Sequence, residues 1–546
     1  MRPVPSTAAD VLALPERYRR FWEDARAALA EERIFCDPLR TLAYGTDASF
    51  YRLVPRIVAR VRNVPEVQVL LAAARRHGTP LTFRAAGTSL SGQAITDSVL
   101  VQLDGWKGRR VADGGAEVVL EPGVVGSDAN ALLAPLGRKI GPDPASIATC
   151  QIGGIAANNA SGMCCGTAQN SYRTVRAMKL VLADGTFLDT ADPASRRAFA
   201  ETHASLLAGL AALRAEVLAD GALAGRIREK YRIKNTTGYG LNAFVDFGDP
   251  FDILLHLMIG SEGTLGFIAE VTFATVEEHA HKASALMLFP DVETAARATQ
   301  RLSSGPVSAV EMIDRAALRS VEAKPGMPPV LPTLPPSACA LLVEVRAADQ
   351  AALGRASAAA TALLAGIPTL EPVAFTAVKA EYERLWDVRR GLFPAAAAAR
   401  PAGTSVVIED VAFPMERLAA GTVDLQRLFA THGYADAIIF GHARDGNLHF
   451  IFTPDFADPA EVERYRRFMD DLAEMVAVKH GGSLKGEHGT GRNMAPFVEL
   501  EWGAAATAVM RRVKALLDPE GLLNPGVVLN DDPHLHLKNL KPLPLA

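Results

Sequence analysis

The stretch "GHARDGNLHF" (441–450) holds two histidines, His442 and His449, seven positions apart around the pair Asp445-Gly446. Neutral imidazole is a common metal ligand and a proton carrier near pH 7. A second stretch, "GGSLKGEHGTGR" (481–492), offers Glu487 and His488 in a glycine-rich loop with freedom to approach. The apolar runs "AIIFGH" and "LHFIF" read as strands, and Asp-Gly between them signals a type I′ hairpin. That hairpin pairs Arg444 with Asn447, Ala443 with Leu448 and His442 with His449. Directly opposed residues share a face, with Cβ atoms ~4.5–5.5 Å apart. Two imidazoles so placed either converge on one cation or merely pair across the strands. Two ligands alone do not make a site.

A second kind of chemistry is written in small residues. Three regions, 85–93, 141–167 and 258–268, are rich in Gly, Ala, Ser, Thr and Asn, and "GPDPASIATCQIGGIAANNASGMCCGT" is the densest. Small residues let backbone approach a ligand and leave N–H groups free for anions. One such loop reads as an ordinary connection. Three of them point to a large phosphate-bearing cofactor. No GxGxxG opens a helix after a strand and no GxxxxGK[ST] occurs, so neither the Rossmann fingerprint nor a P-loop is present.

The elements that must hold these residues follow from periodicity. Residues 14–33 read as an exposed N-terminal helix. "RIVARV" is a strand, "EVQVLLAAARRHG" a helix stopped at Gly78, and "TPLTFR" a strand, which makes a β-α-β unit. "LVLADGTFLDT" (180–190) is a hairpin turning at Asp184-Gly185. "ACALLVEV" (338–345) is a strand, "KPGMPPVLPTLPPSA" (324–338) a surface excursion, and 518–546 is largely loop.

Composition bounds the rest. The 546 residues are 49% hydrophobic and 22% charged, with a formal net charge of −4. That is a globular composition with no excess of basic residues for nucleic acid. No apolar run is long enough to span a membrane, and no signal peptide is evident in "MRPVPSTAADVLALPERYRR". Cys36, Cys150, Cys164, Cys165 and Cys339 are odd in number and form no CxxC, so we expect reduced thiols in the cytoplasm.

"PLTFRAAGTSLSGQ" (80–93) resembles the pyrophosphate loop of flavoproteins related to vanillyl-alcohol oxidase and p-cresol methylhydroxylase. "GPDPAS", "IGGIAANNASGMCCG" and "IGSEGTLGFI" are similar to further flavin-contacting segments, in the same order. "YGTDASFYRLVP", "NASGMCCGTAQNSYRT" and "KNTTGYGLNA" narrow the likeness to D-2-hydroxyacid dehydrogenases, and within them to the flavin half of bacterial FAD/iron–sulfur D-2-hydroxyglutarate or D-lactate dehydrogenases. The resemblance implies an α+β fold. Its parts are an N-terminal helical extension (1–45), a two-subdomain FAD-binding domain of the p-cresol methylhydroxylase type (46–278), a cap with an antiparallel sheet and helices carrying the substrate and metal sites (279–515), and a C-terminal segment returning to the FAD domain (516–546).

The same resemblance implies residue roles. It puts the pyrophosphate on Arg84, Ala85, Ala86, Gly87, Thr88, Ser89 and Leu90. It runs the cofactor along Pro144, Ser146, Gly153, Gly154, Asn158, Ser161, Gly162 and Gly166, with Glu262, Gly263 and Ile268 near adenine or ribitol and Asn524 near the flavin ring. No histidine lies between His77 and His203, so the FAD is expected to be non-covalent. The likeness makes His442, His449 and Glu487 ligands of a divalent metal, zinc or manganese. It makes His488 the base and Arg389 the holder of the substrate carboxylate, with Asn447 also on the substrate.

The implied activity is oxidation of a D-2-hydroxyacid, D-2-hydroxyglutarate first, with D-lactate or glycolate as alternatives. Hydride would pass to flavin N5 and electrons onward to an iron–sulfur or quinone-type acceptor. The cysteine clusters of the iron–sulfur half do not occur in this sequence, so the expected partner is a separate domain or chain. A peripheral place on the inner membrane and self-association stay open. Some 2-hydroxyglutarate enzymes have a lysine where this chain has Ile408, before Glu409. Arg444 or Lys485 would then have to hold a second carboxylate. A flavin-free metallohydrolase built on the same histidines is the rival from another class, and a flavoprotein without metal is the rival within the superfamily.

Overall fold

Backbone pairing divides the chain into three sheets. A computed structural model describes residues 6–324 and 327–541. Parts of three sequence readings, the N-terminal segment, the proline-rich excursion and the loop tail, fall on residues 1–5, 325–326 and 542–546 and lie outside the described residues.

The first sheet is the β-α-β unit plus neighbours. Its strands are β1 (Ile34–Phe35), β2 (Ile57–Val61), β3 (Leu81–Arg84) and β4 (Val99–Leu103), in the order β1-β2-β4-β3. β2 and β3 run parallel to β4. The connecting helix, Val64–His77, is capped by Asn63 and ends on Gly78 in the left-handed conformation. The N-terminal residues are not an exposed extension. The helix Glu16–Arg26 buries Tyr18, Phe21, Trp22 and Ala25, and β1 pairs with β2. Its charged periodicity hid an apolar stripe one face wide.

The second sheet holds β5 (Arg109–Ala112), β6 (Glu117–Leu120), β7 (Arg138–Ile140), β8 (Val175–Val181), β9 (Phe187–Asp189) and β10 (Phe267–Glu277). β10 is the centre, pairing with β6, β7 and β8. β8 and β9 form the hairpin read at Asp184-Gly185. A helical layer packs on it around Leu210, Phe244, Leu254 and Trp502.

The third sheet is wholly antiparallel. Its strands are β11 (His281–Phe289), β12 (Ala309–Ile313), β13 (Cys339–Ala347), β14 (Val407–Ala412), β15 (Ile438–His442) and β16 (Asn447–Phe452), ordered β11-β13-β12-β15-β16-β14. One face packs on a large apolar core that includes Phe413, Phe450, Phe452 and Phe468. The other carries His442 and His449 and packs in part on helices around Ile438, Phe440 and Ile451. Side chains alternate between faces along each strand, so alternate positions decide which residues reach the space between the halves. The C-terminal segment returns to the first sheet, where Asn524 N–H donates to the Leu81 carbonyl at 2.7 Å.

Candidate active site

The hairpin that carries the two histidines forms in a different register from the expected one. The observed pairs are Ile438 with Ile451, Ile439 with Phe450 and Phe440 with His449. A 3₁₀ turn, Ala443–Asp445, replaces the two-residue turn, and Gly446 follows it with φ +67°. A Cβ at Gly446 would run into the Phe413 carbonyl oxygen, so the chain folds back here only with glycine. Phe440, not His442, therefore opposes His449. The shift is two residues, and side chains alternate with period two, so His442 stays on the same face as His449. His442 instead pairs with Glu311 on its other flank.

The loop 481–492 reaches this face from a distant part of the chain. It passes Gly489 at φ +79°, where any Cβ would meet Asn158, Glu262 and Gln93 side chains. Three ligand atoms then converge. His442 Nε2 lies 3.1 Å from Glu487 Oε1 and 3.2 Å from His449 Nε2, and His449 Nε2 lies 3.4 Å from the same oxygen. Bonds of ~2.0–2.1 Å at near-tetrahedral angles require ligand atoms about 3.3 Å apart. The triangle has that size, so the donor set fits a divalent cation. All three residues are buried.

The next shell orients the rings. Glu311 accepts from His442 Nδ1 at 2.5 Å, which leaves the Nε2 lone pair facing inward. Arg389 Nε donates to the other Glu311 oxygen at 2.6 Å, and its guanidinium lies 4.5 Å from the centre of the Phe440 ring. Asp410 sits opposite His449 and accepts from the Glu487 backbone N–H at 2.7 Å. His488 Nδ1 is 3.1 Å from Asp410 Oδ1, off the line of an ideal hydrogen bond, and its ring stacks on His449 with centroids 5.0 Å apart.

Burial raises the Glu311 carboxyl, but His442 and Arg389 outweigh it and hold the group down to about 2. Burial opposes protonation of His442, yet Glu311 and Glu487 lift it to about 9. Burial pushes His449 down to about 4, so its ring is a neutral ligand at pH 7. Glu487 is held well below the usual carboxylate range, because Lys234 and His442 overcome its burial. Without a cation, a proton on His442 takes its place. Metal and proton compete for the same lone pair.

Beside this cluster runs a long cleft with an empty volume of about 1670 Å³, open mouth included. Its walls come from all three small-residue loops, which suits a phosphate-bearing cofactor. Arg84, Ala85, Ala86, Gly87, Thr88, Ser89, Leu90, Pro144, Ser146, Gly153, Gly154, Asn158, Ser161, Glu262, Gly263 and Ile268 line it, and Glu487 and His488 close one end.

Three expected cofactor residues lie off this wall. A Cβ on Gly162 would strike the Asp143 carbonyl, and one on Gly166 would meet Asp445, so both permit loop packing. Asn524 spans the floor, accepting from Thr82 and donating to the Gln93 and Glu262 carbonyls. Asn447 also differs from expectation. It is fully buried and its amide donates to Asp410 and Val411, so no donor is left for substrate.

Glu311, Asp410 and Lys234 complete the site and were not singled out in the sequence. A signal existed for two of them. Glu311 and Asp410 are charged residues inside apolar strand runs, "AVEMI" and "VIEDVA", and charges buried there must have partners.

Comparison with known proteins identifies the family and the fold. Residues 55–191 match the FAD binding domain family, and residues 278–528 match the C-terminal domain of FAD linked oxidases. The chain belongs to the FAD-linked oxidases. This FAD-dependent oxidoreductase is 26% identical to the glycolate oxidase subunit GlcD of Bacillus subtilis, over 90% of this chain and 93% of that one. It is 29% identical to a probable mitochondrial D-lactate dehydrogenase of Danio rerio, over 89% and 87%. It is 26% identical to D-2-hydroxyglutarate dehydrogenase of Escherichia coli, over 89% of this chain and 49% of that longer one. Among solved structures, p-cresol methylhydroxylase with substrate bound aligns over 95% of this chain and 98% of its own, with TM-score 0.67 and 12% identity, which establishes the fold. The FAD-domain match removes the flavin-free hydrolase reading.

Proposed function

We propose that this oxidase dehydrogenates a D-2-hydroxyacid to the 2-oxoacid, with FAD held non-covalently and zinc or manganese on His442, His449 and Glu487. One observation carries the reading: His488 and Glu487 line the FAD cleft, and Glu487 Oε1 also meets His442 and His449. Bound FAD supplies a hydride acceptor, and a bound divalent cation supplies Lewis acidity. The chain's own residues do the rest. His488, steadied by Asp410, takes the hydroxyl proton. Arg389 makes no hydrogen bond through its terminal nitrogens among the described residues, and these bind the substrate carboxylate. Glu311 and Phe440 fix that guanidinium in place. An iron–sulfur carrier as electron acceptor rests on the family resemblance. The free cysteines support a reducing, cytoplasmic setting.

We infer a preference for a substrate with an apolar tail over D-2-hydroxyglutarate from the side chains around position 408 and the engagement of the two expected cations. Ile408 lies two positions before Asp410 on β14 and so shares its face. Opposite it stand Ile451 and then Ile438, and Val388 and Leu392 pack on that row. Neither expected substitute holds a second carboxylate. Lys485 is buried against Glu409, and Arg444 donates to the Ser308 carbonyl at 3.0 Å. D-Lactate and its apolar homologues are therefore the substrates we propose first.

Anaerobic mixing tests both levels. D-Lactate should bleach the flavin, a chelator should abolish the bleaching, and D-2-hydroxyglutarate should act more weakly. A flavin that no D-2-hydroxyacid bleaches would sink the reaction class. A flavin bleached equally well after complete metal removal would sink the metal.

A further inference from the structure

Lys234 is a buried charge that neither cofactor contact nor acid–base chemistry explains. It is 3% exposed and lies beyond the helix Gly221–Lys230 of the FAD half. Its ammonium donates to Glu487 Oε2 at 2.8 Å and to the Gly162 carbonyl at 2.8 Å. Asn447 Oδ1 is 3.5 Å away and Asp445 Oδ2 3.8 Å. Ser161 Oγ donates to the same Glu487 oxygen at 3.0 Å. One carboxylate oxygen thus carries two hydrogen bonds from the FAD half. The other, Oε1, faces His442 and His449.

A buried lysine costs desolvation unless it is paired and hydrogen-bonded. Here the pairing has a geometric consequence. With Oε2 occupied, Glu487 has a single oxygen to give the cation, and the remaining positions stay open for substrate. The lysine reaches the cluster from the other side of Glu487. It lines a small polar pocket with Asn170, Arg173 and Asn235, whereas Glu487 lines the FAD cleft, and Ser161 lines both.

We propose that Lys234 is a positioning residue that holds Glu487 as a one-oxygen metal ligand and locks the cap onto the FAD half at the metal. This inference rests on the metal reading above. Outer partners of metal ligands are worth ~10–100-fold in metal affinity, and Lys234 acts at that level.

The test uses flavin-loaded full-length protein. Zinc affinity is measured by competition with a chromogenic chelator for wild type, Lys234→Met, Lys234→Arg and Ser161→Ala. Lys234→Met should retain flavin and bind zinc about 10–100-fold more weakly, with Lys234→Arg in between. In cobalt-substituted protein, the visible ligand-field bands of Lys234→Met should weaken as Glu487 swings to offer both oxygens and the coordination number rises. Unchanged zinc affinity in flavin-loaded Lys234→Met overturns the proposal. If Lys234→Met fails to fold, Ser161→Ala decides: it removes the second donor to the same oxygen, so weakened zinc binding supports the proposal and unchanged binding overturns it. A wild type that takes up no divalent metal refutes the metal reading itself, which is a separate result.

Discussion

The FAD cleft and the histidine–glutamate cluster touch at Ser161 and Glu487, yet they are built in opposite ways. The cleft is made by leaving side chains out: glycine, alanine and serine from three loops free backbone and volume. The cluster is made by crowding charged side chains into a buried space, where Glu311, Arg389, Asp410, Lys234 and His488 each answer a neighbour. A site made of space fails when it is filled. A site made of partners fails when one is removed. The two should therefore break independently.

Filling the cleft gives the largest effect. Gly154 lines it, and an added Cβ meets only Ala85 at 3.6 Å, so a larger side chain projects into the cofactor space. Gly154→Leu should yield protein almost without visible flavin absorbance, with zinc content unchanged by elemental analysis. Removing the proposed base should leave both contents intact: His488→Ala should lower kcat by ~10²–10⁴-fold, read by steady-state turnover with an artificial acceptor. A smaller loss is expected when the carboxylate beside His488 that also holds the Glu487 backbone is neutralised. Asp410→Asn should cost ~10–100-fold in metal affinity or turnover, with flavin retained. If Asp410→Asn loses flavin as readily as metal, the two regions are not independent.

The seam offers the subtlest test. Glu262 lines the cleft and accepts from the Gly491 N–H in the loop that carries Glu487 and His488. Burial pushes its carboxyl from 4.5 up to about 8. A raised carboxyl favours folding below its unfolded value, and that contribution is lost as pH rises through about 8. Urea unfolding of flavin-free protein should therefore show stability falling across that window by, at most, a few kcal/mol. Glu262→Gln should flatten the fall.

Much of the cleft was legible because glycine-rich loops advertise close backbone approach wherever they lie. The strands and the helix Val64–His77 were legible because period and caps are local. The N-terminal helix was misjudged, since its single apolar stripe is narrow among charges. The resemblance put Asn447 on the substrate, and only its neighbours Asp410 and Val411 show both amide hydrogens already used. Lys234 gave no local sign of its task, because its partner Glu487 is 253 residues away.

The sequence by itself determined that His442 and His449 share a face. Alternation with period two guarantees this for any register shifted by an even number, and the observed shift is two. It also determined the small-residue lining, since no other residue types leave that space. The tertiary structure alone decided that Glu487 arrives 3.1 Å from His442, that Glu311 on the neighbouring strand β12 orients that ring, and that Lys485 turns away to Glu409. Those outcomes depend on which strands neighbour one another and which loop crosses them, and long-range packing of the three sheets sets both.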